Sequence, residues 1–265
     1  MNWTPILIAA AIFAGMGIVL GALLAIASRV FAVKVDERIP KIQEALPGAN
    51  CGGCGYSGCA ALAEAIVKGE ADLGACTVGG APVAKAIGTI MGVEAKAVRR
   101  MRAQVMCCGT TGVAQKKYDY VGAADCIAAE RLGGGGKSCP NGCLGFGSCA
   151  AVCPVGAISI VDGVAFVDKN TCVGCGKCES VCPKHVIRMI PYDTVYYVGC
   201  TSVETGKATR ESCGVGCISC RICEKNCPAG AITVNNFVAS IQYDRCISCG
   251  LCEQKCPRHI IKKSC

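Results

Sequence analysis

Cysteine carries the chemistry of this chain: it supplies 26 of 265 residues, against two histidines, and most of it falls into tight runs. Residues 216–231 read GCISCRICEKNCPAGA, with Cys217, Cys220, Cys223 and Cys227 spaced two, two and three apart and closed by Pro228. Three thiols within one or two turns of backbone converge on a shared centre more readily than they pair with distant partners, which argues against disulfides. Zinc sites use separated cysteine pairs, often completed by histidine, and only His185 and His259 are available. A Cys-x2-Cys-x2-Cys-x3-Cys-Pro run is the spacing that holds a four-iron, four-sulfur cubane. The run recurs at Cys172, Cys175, Cys178, Cys182 and at Cys246, Cys249, Cys252, Cys256.

The cysteines belong to an internal repeat. Cys149, Cys153, Cys172, Cys175, Cys178 and Cys182 return 74 positions later as Cys223, Cys227, Cys246, Cys249, Cys252 and Cys256. Between them lie two short apolar strands and a turn, expected at Asp162-Gly163 in one copy and Asn235-Asn236 in the other. The unit resembles a two-cluster bacterial ferredoxin. The motif implies crossed ligation, in which the fourth cysteine of each run serves the other cluster. The expected sets are Cys217, Cys220, Cys223 with Cys256; Cys246, Cys249, Cys252 with Cys227; and Cys172, Cys175, Cys178 with Cys153. The remaining run departs from the pattern, with Cys139, Cys143 and Cys149 at wider spacing, and these are assigned together with Cys182.

Ahead of the repeats, Cys51, Cys54 and Cys59, with Cys76 seventeen positions on, form another four-thiol set around a helix from Ala60 to Lys68. For this set zinc is the alternative. The phrase GGGGKS at 133–138 is not a phosphate loop, because Arg131 stands where that motif needs glycine. It reads as a flexible loop. The stretch from Pro5 to Ala27 has no charge and is long enough for one membrane-crossing helix, with Arg29, Lys34, Arg38 and Lys41 after it and nothing basic before it. That asymmetry puts the bulk of the chain on the cytoplasmic side of the cell (inner) membrane.

Composition agrees with a protein organised by inorganic cores. Aromatic residues are 5% of the chain and glycines number 34, so large apolar cores are not expected. The formal charge of +8 counts cysteines as neutral. Six cubanes at about −2 each would bring the loaded chain to about −4, which removes the support for nucleic-acid binding. Neither a dinucleotide fingerprint nor a catalytic dyad is present, so no catalytic residue, flavin or nucleotide is assigned.

An apolar helix, the Cys51–Cys76 motif and then ferredoxin-like repeats together resemble the B subunit of Rnf-type ion-translocating ferredoxin:NAD oxidoreductase complexes. The resemblance implies an α+β protein: a single N-terminal transmembrane helix, a small helical 4Fe-4S domain, then two tandem bacterial-type two-cluster ferredoxin modules. The expected organisation is an anchor (1–28), a linker (29–46), the N-terminal 4Fe-4S domain (47–95), a connecting segment (96–136), the first module (137–190), a connector (191–212) and the second module with its tail (213–265). It further implies an electron relay among flavin- and nicotinamide-binding subunits, with ferredoxin or flavodoxin as a partner and membrane lipid around the helix. The alternatives are a membrane-anchored polyferredoxin serving another reductase and a zinc-stapled scaffold.

Five sets leave Cys107, Cys108, Cys126, Cys200, Cys213 and Cys265. Cys107, Cys126, Cys200 and Cys213 are expected to hold a sixth cluster, Cys107 being preferred to Cys108 on the resemblance. Of two basic groups, Lys184, His185, Arg188 and Arg258, His259, Lys262, Lys263, one is expected to dock an acidic ferredoxin.

Overall fold

A computed structural model of the chain describes residues 3–30, 36–94 and 99–264; Lys34 and Cys265 lie outside them. Helix α1 (Thr4–Val30) is apolar on all sides, and its Ala11–Ser28 stretch, with mean hydropathy 2.3, is long enough to cross a membrane. None of that stretch is buried against the chain, and Leu7, Ile18 and Leu24 are exposed. An apolar helix without a protein partner needs an apolar medium.

Three short helices follow: α2 (Arg38–Ala45), α3 (Cys59–Lys68) and α4 (Gly80–Met91). Helix α3 covers the segment expected to be helical. It stops at Gly69, whose left-handed φ of 76° lets its N–H close back on the last turn. Ile42, Leu46, Leu62, Ile66 and Ile87 pack between these helices and enclose Cys76.

The rest of the chain is two copies of one pattern. The first contains β1 (Met101–Val105), α5 (Cys126–Arg131), α6 (Ser148–Ala151), β2 (Ile158–Val161), β3 (Val164–Val167), α7 (Lys177–Val181) and β4 (Ile187–Pro191). The second contains β5 (Tyr196–Val198), α8 (Gly206–Ser212), α9 (Ile222–Lys225), β6 (Ile232–Asn235), β7 (Val238–Ile241), α10 (Leu251–Lys255) and β8 (Ile261–Lys263). Helices α6 and α9, α7 and α10, and the hairpins β2–β3 and β6–β7 all obey the 74-residue shift.

The backbone repeats as closely. Positive φ occurs at Asp162 and Asn236, at Gly176 and Gly250, and at His185 and His259. The second hairpin turns at Asn236-Phe237, one residue beyond the expected Asn235-Asn236, with φ of 47° and 62°. Both central residues of a tight turn that matches strand twist need positive φ; the first copy meets this with Gly163, whereas the second forces it on a phenylalanine.

Strands β1 and β5 come from segments read as connectors. β1 pairs antiparallel with β4 (Val105 opposite Ile187) and β5 with β8 (Val198 opposite Ile261). The physical reason is that β4 and β8 are single strands with no partner inside their cysteine runs, and an unpaired strand leaves its backbone groups open. Each copy thus begins upstream of its first cysteine run. The two cores are correspondingly small: Val105, Ile158, Val164, Val186 and Ile187 in one, and Val198, Ile232, Val234, Ile260 and Ile261 in the other, each interleaved with cysteines.

Candidate iron–sulfur centres

Every one of the 25 described cysteines is a free thiol. In the second copy, Cys217, Cys220, Cys223 and Cys256 line one cavity together. The chain reaches round it through Ser219 and Arg221 in left-handed conformation, φ 57° and 58°. Cys252 faces Cys246 and Cys249 closely enough to feel their charge, and Cys227, in the same core, accepts the Ala231 N–H at 3.3 Å. The first copy repeats this: Cys178 feels Cys172 and Cys175, and Cys153 accepts the Ala157 N–H at 3.3 Å. Strand β1 joins in through the Ala103 N–H, 3.4 Å from the sulfur of Cys172. In the front domain Cys76 lies near Cys59 and Cys54 and accepts the Gly79 N–H at 3.3 Å.

The irregular run departs from expectation. Cys143, Cys149 and Cys182 share their cavity with Cys126, not Cys139. Cys139 lines a different cavity with Cys107, Cys200 and Cys213, so the two expected sets exchange one member each. Local structure explains why Cys126 is available. Asp125 caps α5 by accepting the Ala128 N–H at 2.8 Å, and its other oxygen accepts from Ser148 Oγ at 2.7 Å. Ser148 Oγ accepts the Cys126 N–H at 2.8 Å, tying the start of α5 to α6 beside Cys149.

The shared cavity draws equally on both copies. Cys107 follows β1 as Cys200 follows β5, and Cys139 precedes Cys143 by the interval that separates Cys213 from Cys217. Cys108 packs instead against the second core, beside Gly199. Loop 133–136 is closely packed: a Cβ at Gly135 would overlap Leu144, and one at Gly136 would meet the Tyr118 carbonyl oxygen at 2.7 Å.

Burial sets the acidity of these thiols. It pushes Cys149 up to about 11 and Cys178, Cys200 and Cys223 up to about 12, with neighbouring thiols adding to the rise. Such groups are neutral at physiological pH unless a cation compensates the thiolate. The donor set fits an iron–sulfur cubane: each of the three cavities presents four sulfurs, and neither carboxylate nor imidazole lines them. Among the described residues no three Cys, His, Asp or Glu side chains converge at single-ion distance. Linings of four cysteine sulfurs are the donor sets that iron–sulfur cubanes use.

Comparison with known proteins agrees with this chemistry. Residues 46–78 match a family described as a putative Fe-S cluster, 139–193 the LdpA Fe-S cluster-binding domain, and 216–261 a 4Fe-4S dicluster domain. The B subunit of the Na(+)-translocating ferredoxin:NAD(+) oxidoreductase complex of Acetobacterium woodii is 46% identical over 91% of this chain and 72% of its own length. The B subunit of the ion-translocating oxidoreductase complex of Methanosarcina acetivorans is 43% identical over 89% of each. The B subunit of the proton-translocating ferredoxin:NAD(+) oxidoreductase complex of Clostridium ljungdahlii is 39% identical over 85% and 80%. The chain belongs to the Rnf B-subunit family.

In this B-subunit chain the exchange of Cys126 and Cys139 had a readable signal. Carried back two more cysteines, the 74-residue shift pairs Cys139 with Cys213 and Cys143 with Cys217, and it sets Phe146 against Cys220. The first copy therefore has no thiol at that position, and Cys126 lines the cavity with Cys143, Cys149 and Cys182; Phe146 packs beside Cys126 and Leu144. The basic groups also divide. His185, Arg188, His259, Lys262 and Lys263 are exposed, whereas Lys184 and Arg258 line cysteine cavities.

Proposed function

We propose that this B subunit is an iron–sulfur electron relay in a membrane complex that couples electron transfer between ferredoxin and NAD to ion translocation. It holds six cubanes, ligated by Cys51, Cys54, Cys59 and Cys76; Cys153, Cys172, Cys175 and Cys178; Cys126, Cys143, Cys149 and Cys182; Cys107, Cys139, Cys200 and Cys213; Cys217, Cys220, Cys223 and Cys256; and Cys227, Cys246, Cys249 and Cys252. When bound, each cubane takes up and releases one electron. Helix α1 anchors the chain as a single span with its bulk on the cytoplasmic side, and hydride transfer belongs to other subunits.

The observation that carries this reading is contact between successive cysteine sets. The Cys217 N–H donates to Cys200 Sγ at 3.4 Å, and the Cys143 N–H to Cys107 Sγ at 3.4 Å. Cys178 feels the charge of Cys149, and Gly53 lies so close to Cys175 that a Cβ would sit 2.7 Å from its carbonyl oxygen. These contacts link the Cys217 set of the second copy, the shared set, the two sets of the first copy and the front domain in series.

The test is ferredoxin-driven NAD reduction and ion uptake in anaerobic inverted vesicles, with and without this chain. Loss of both activities, restored by the intact gene, is expected. Unchanged rates would leave a membrane-anchored polyferredoxin serving another reductase. Sodium and proton dependence in the same vesicles distinguishes the coupling ions borne in the names of the Acetobacterium and Clostridium relatives.

A further inference from the structure

Two inward-facing cations occupy equivalent places in the two copies. Lys184 follows Cys182-Pro183 and Arg258 follows Cys256-Pro257, separated by the same 74 positions. Lys184 lines the cavity of Cys126, Cys143, Cys149 and Cys182, its side chain is 6% exposed, and its charge also reaches Cys139 in the shared cavity. Arg258 lines the cavity of Cys217, Cys220, Cys223 and Cys256. Its guanidinium donates from Nε to the Gly216 carbonyl at 3.2 Å and from Nη2 to the Cys213 carbonyl at 2.8 Å. Each cation therefore stands between its own copy's cysteine set and the shared one.

In charge the two differ. Lys184 Nζ is paired with Glu130 Oε2 at 2.5 Å, and Glu130 lies on α5, the helix that begins with Cys126. Gly134, in the packed glycine loop, closes over this pair. Arg258 meets only carbonyl oxygens and has no carboxylate partner among the described residues. An uncompensated cation at the edge of a partly dehydrated cluster favours the reduced state, which is more negative by one charge, whereas a paired cation does so far less.

Resting on the six-centre reading above, we propose that Lys184 and Arg258 are positioning residues that set the relative reduction potentials of the two copies, and that Glu130 makes them unequal. The centre of Cys217, Cys220, Cys223 and Cys256 is then reduced at a higher potential than that of Cys126, Cys143, Cys149 and Cys182. The same fold repeated twice thereby yields two centres of different electron affinity.

The experiment is an anaerobic redox titration followed by electron paramagnetic resonance, with iron analysis, on the purified full-length chain and its R258Q, R258K and E130Q variants. R258Q is expected to lower one potential, R258K to restore it because the charge is kept, and E130Q to raise a different one, all with iron retained. Unmoved potentials in R258Q and E130Q overturn the proposal, as does loss of iron from R258K as complete as from R258Q, which would make Arg258 purely structural. If R258Q alone sheds its centre, R258K decides by whether it keeps the native potential and the near-isosteric E130Q by the presence and direction of its shift. Iron in the unsubstituted chain judges the underlying reading separately: about 24 atoms supports six cubanes, and about 20 removes one of them while the potentials still judge the two cations.

Discussion

At the scale of single residues, the grouping of Cys126 and Cys139 has a sharp consequence. Replacing Cys126 and Cys143 together by alanine removes two ligands of one centre, so iron should fall from about 24 to about 20 atoms per chain. Replacing Cys139 and Cys143 touches two centres and should leave about 16. The grouping expected from spacing demands the reverse, so iron analysis of the two double variants separates them. Asp125 should matter through position alone: Asp125→Ala unties Cys126 from Ser148 and should cost about four iron atoms without touching a ligand. The Ala128 N–H and the Ser148 hydroxyl hold the Asp125 carboxyl below its usual range. A depressed carboxylate stabilises above its unfolded pKa and ceases to do so as pH falls through the folded value. Acid release of iron should therefore begin at lower pH for the intact chain than for Asp125→Asn, measured by chelator capture during a pH titration.

Among elements, a contact that joins the front domain to the repeats is the close approach of Gly53 to the Cys175 loop. Gly53→Ala places a methyl group against backbone that has no flexible end to move, and overpacking of this kind costs about 1–3 kcal/mol. The expected outcome is separation of the two loops while both keep their iron. Weakened magnetic coupling between their reduced centres, read from line broadening, would report it. The strand pairs β1–β4 and β5–β8 carry a related lesson. Each recruits a partner across many residues, and Cys107 and Cys200 are delivered to the shared cavity by the ends of those partner strands. A second copy expressed from residue 195 onward keeps Cys200 and Cys213 but lacks Cys107 and Cys139. It should hold about eight iron atoms, not twelve.

For the whole molecule, stability and electron carriage depend on the same cores. The apolar clusters are small and contain the cysteines themselves, so iron removal takes away the centre of each. Chelation should abolish the circular-dichroism signal of the repeats in step with iron loss, while the helical signal of α1 in detergent persists. Raising pH acts oppositely on the apo and loaded forms. In the apo chain the contribution of the neutral buried thiols is intact below the ordinary thiol value of about 9 and is lost as pH rises from there through about 11–12, where Cys149, Cys178, Cys200 and Cys223 ionise in the fold. Cluster insertion needs the thiolates, so it releases protons at neutral pH and strengthens as pH rises towards that window. Proton release on reconstitution, followed with an indicator dye in weak buffer, checks the sign.

Whatever depends on neighbours along the chain could be read from residue order. The thiol spacing implied cubane chemistry, the 74-residue shift implied a duplicated unit, the Ala-rich segment after Cys59 implied α3, and the uncharged N-terminal stretch implied an apolar helix. Each follows from periodicity or turn chemistry within a few residues. Tertiary structure decided which distant groups meet. Nothing local to Cys126 says that it joins the cavity of Cys143, Cys149 and Cys182, since that requires α5 to dock on α6 through Asp125 and Ser148. Nor does the phrase Cys-Pro-Lys or Cys-Pro-Arg reveal that Lys184 and Arg258 turn inward, one to a carboxylate and the other to carbonyls. A cysteine declares its chemistry by type and spacing. Its partners, and the charges beside it, are fixed only when separate stretches of chain close around the same space.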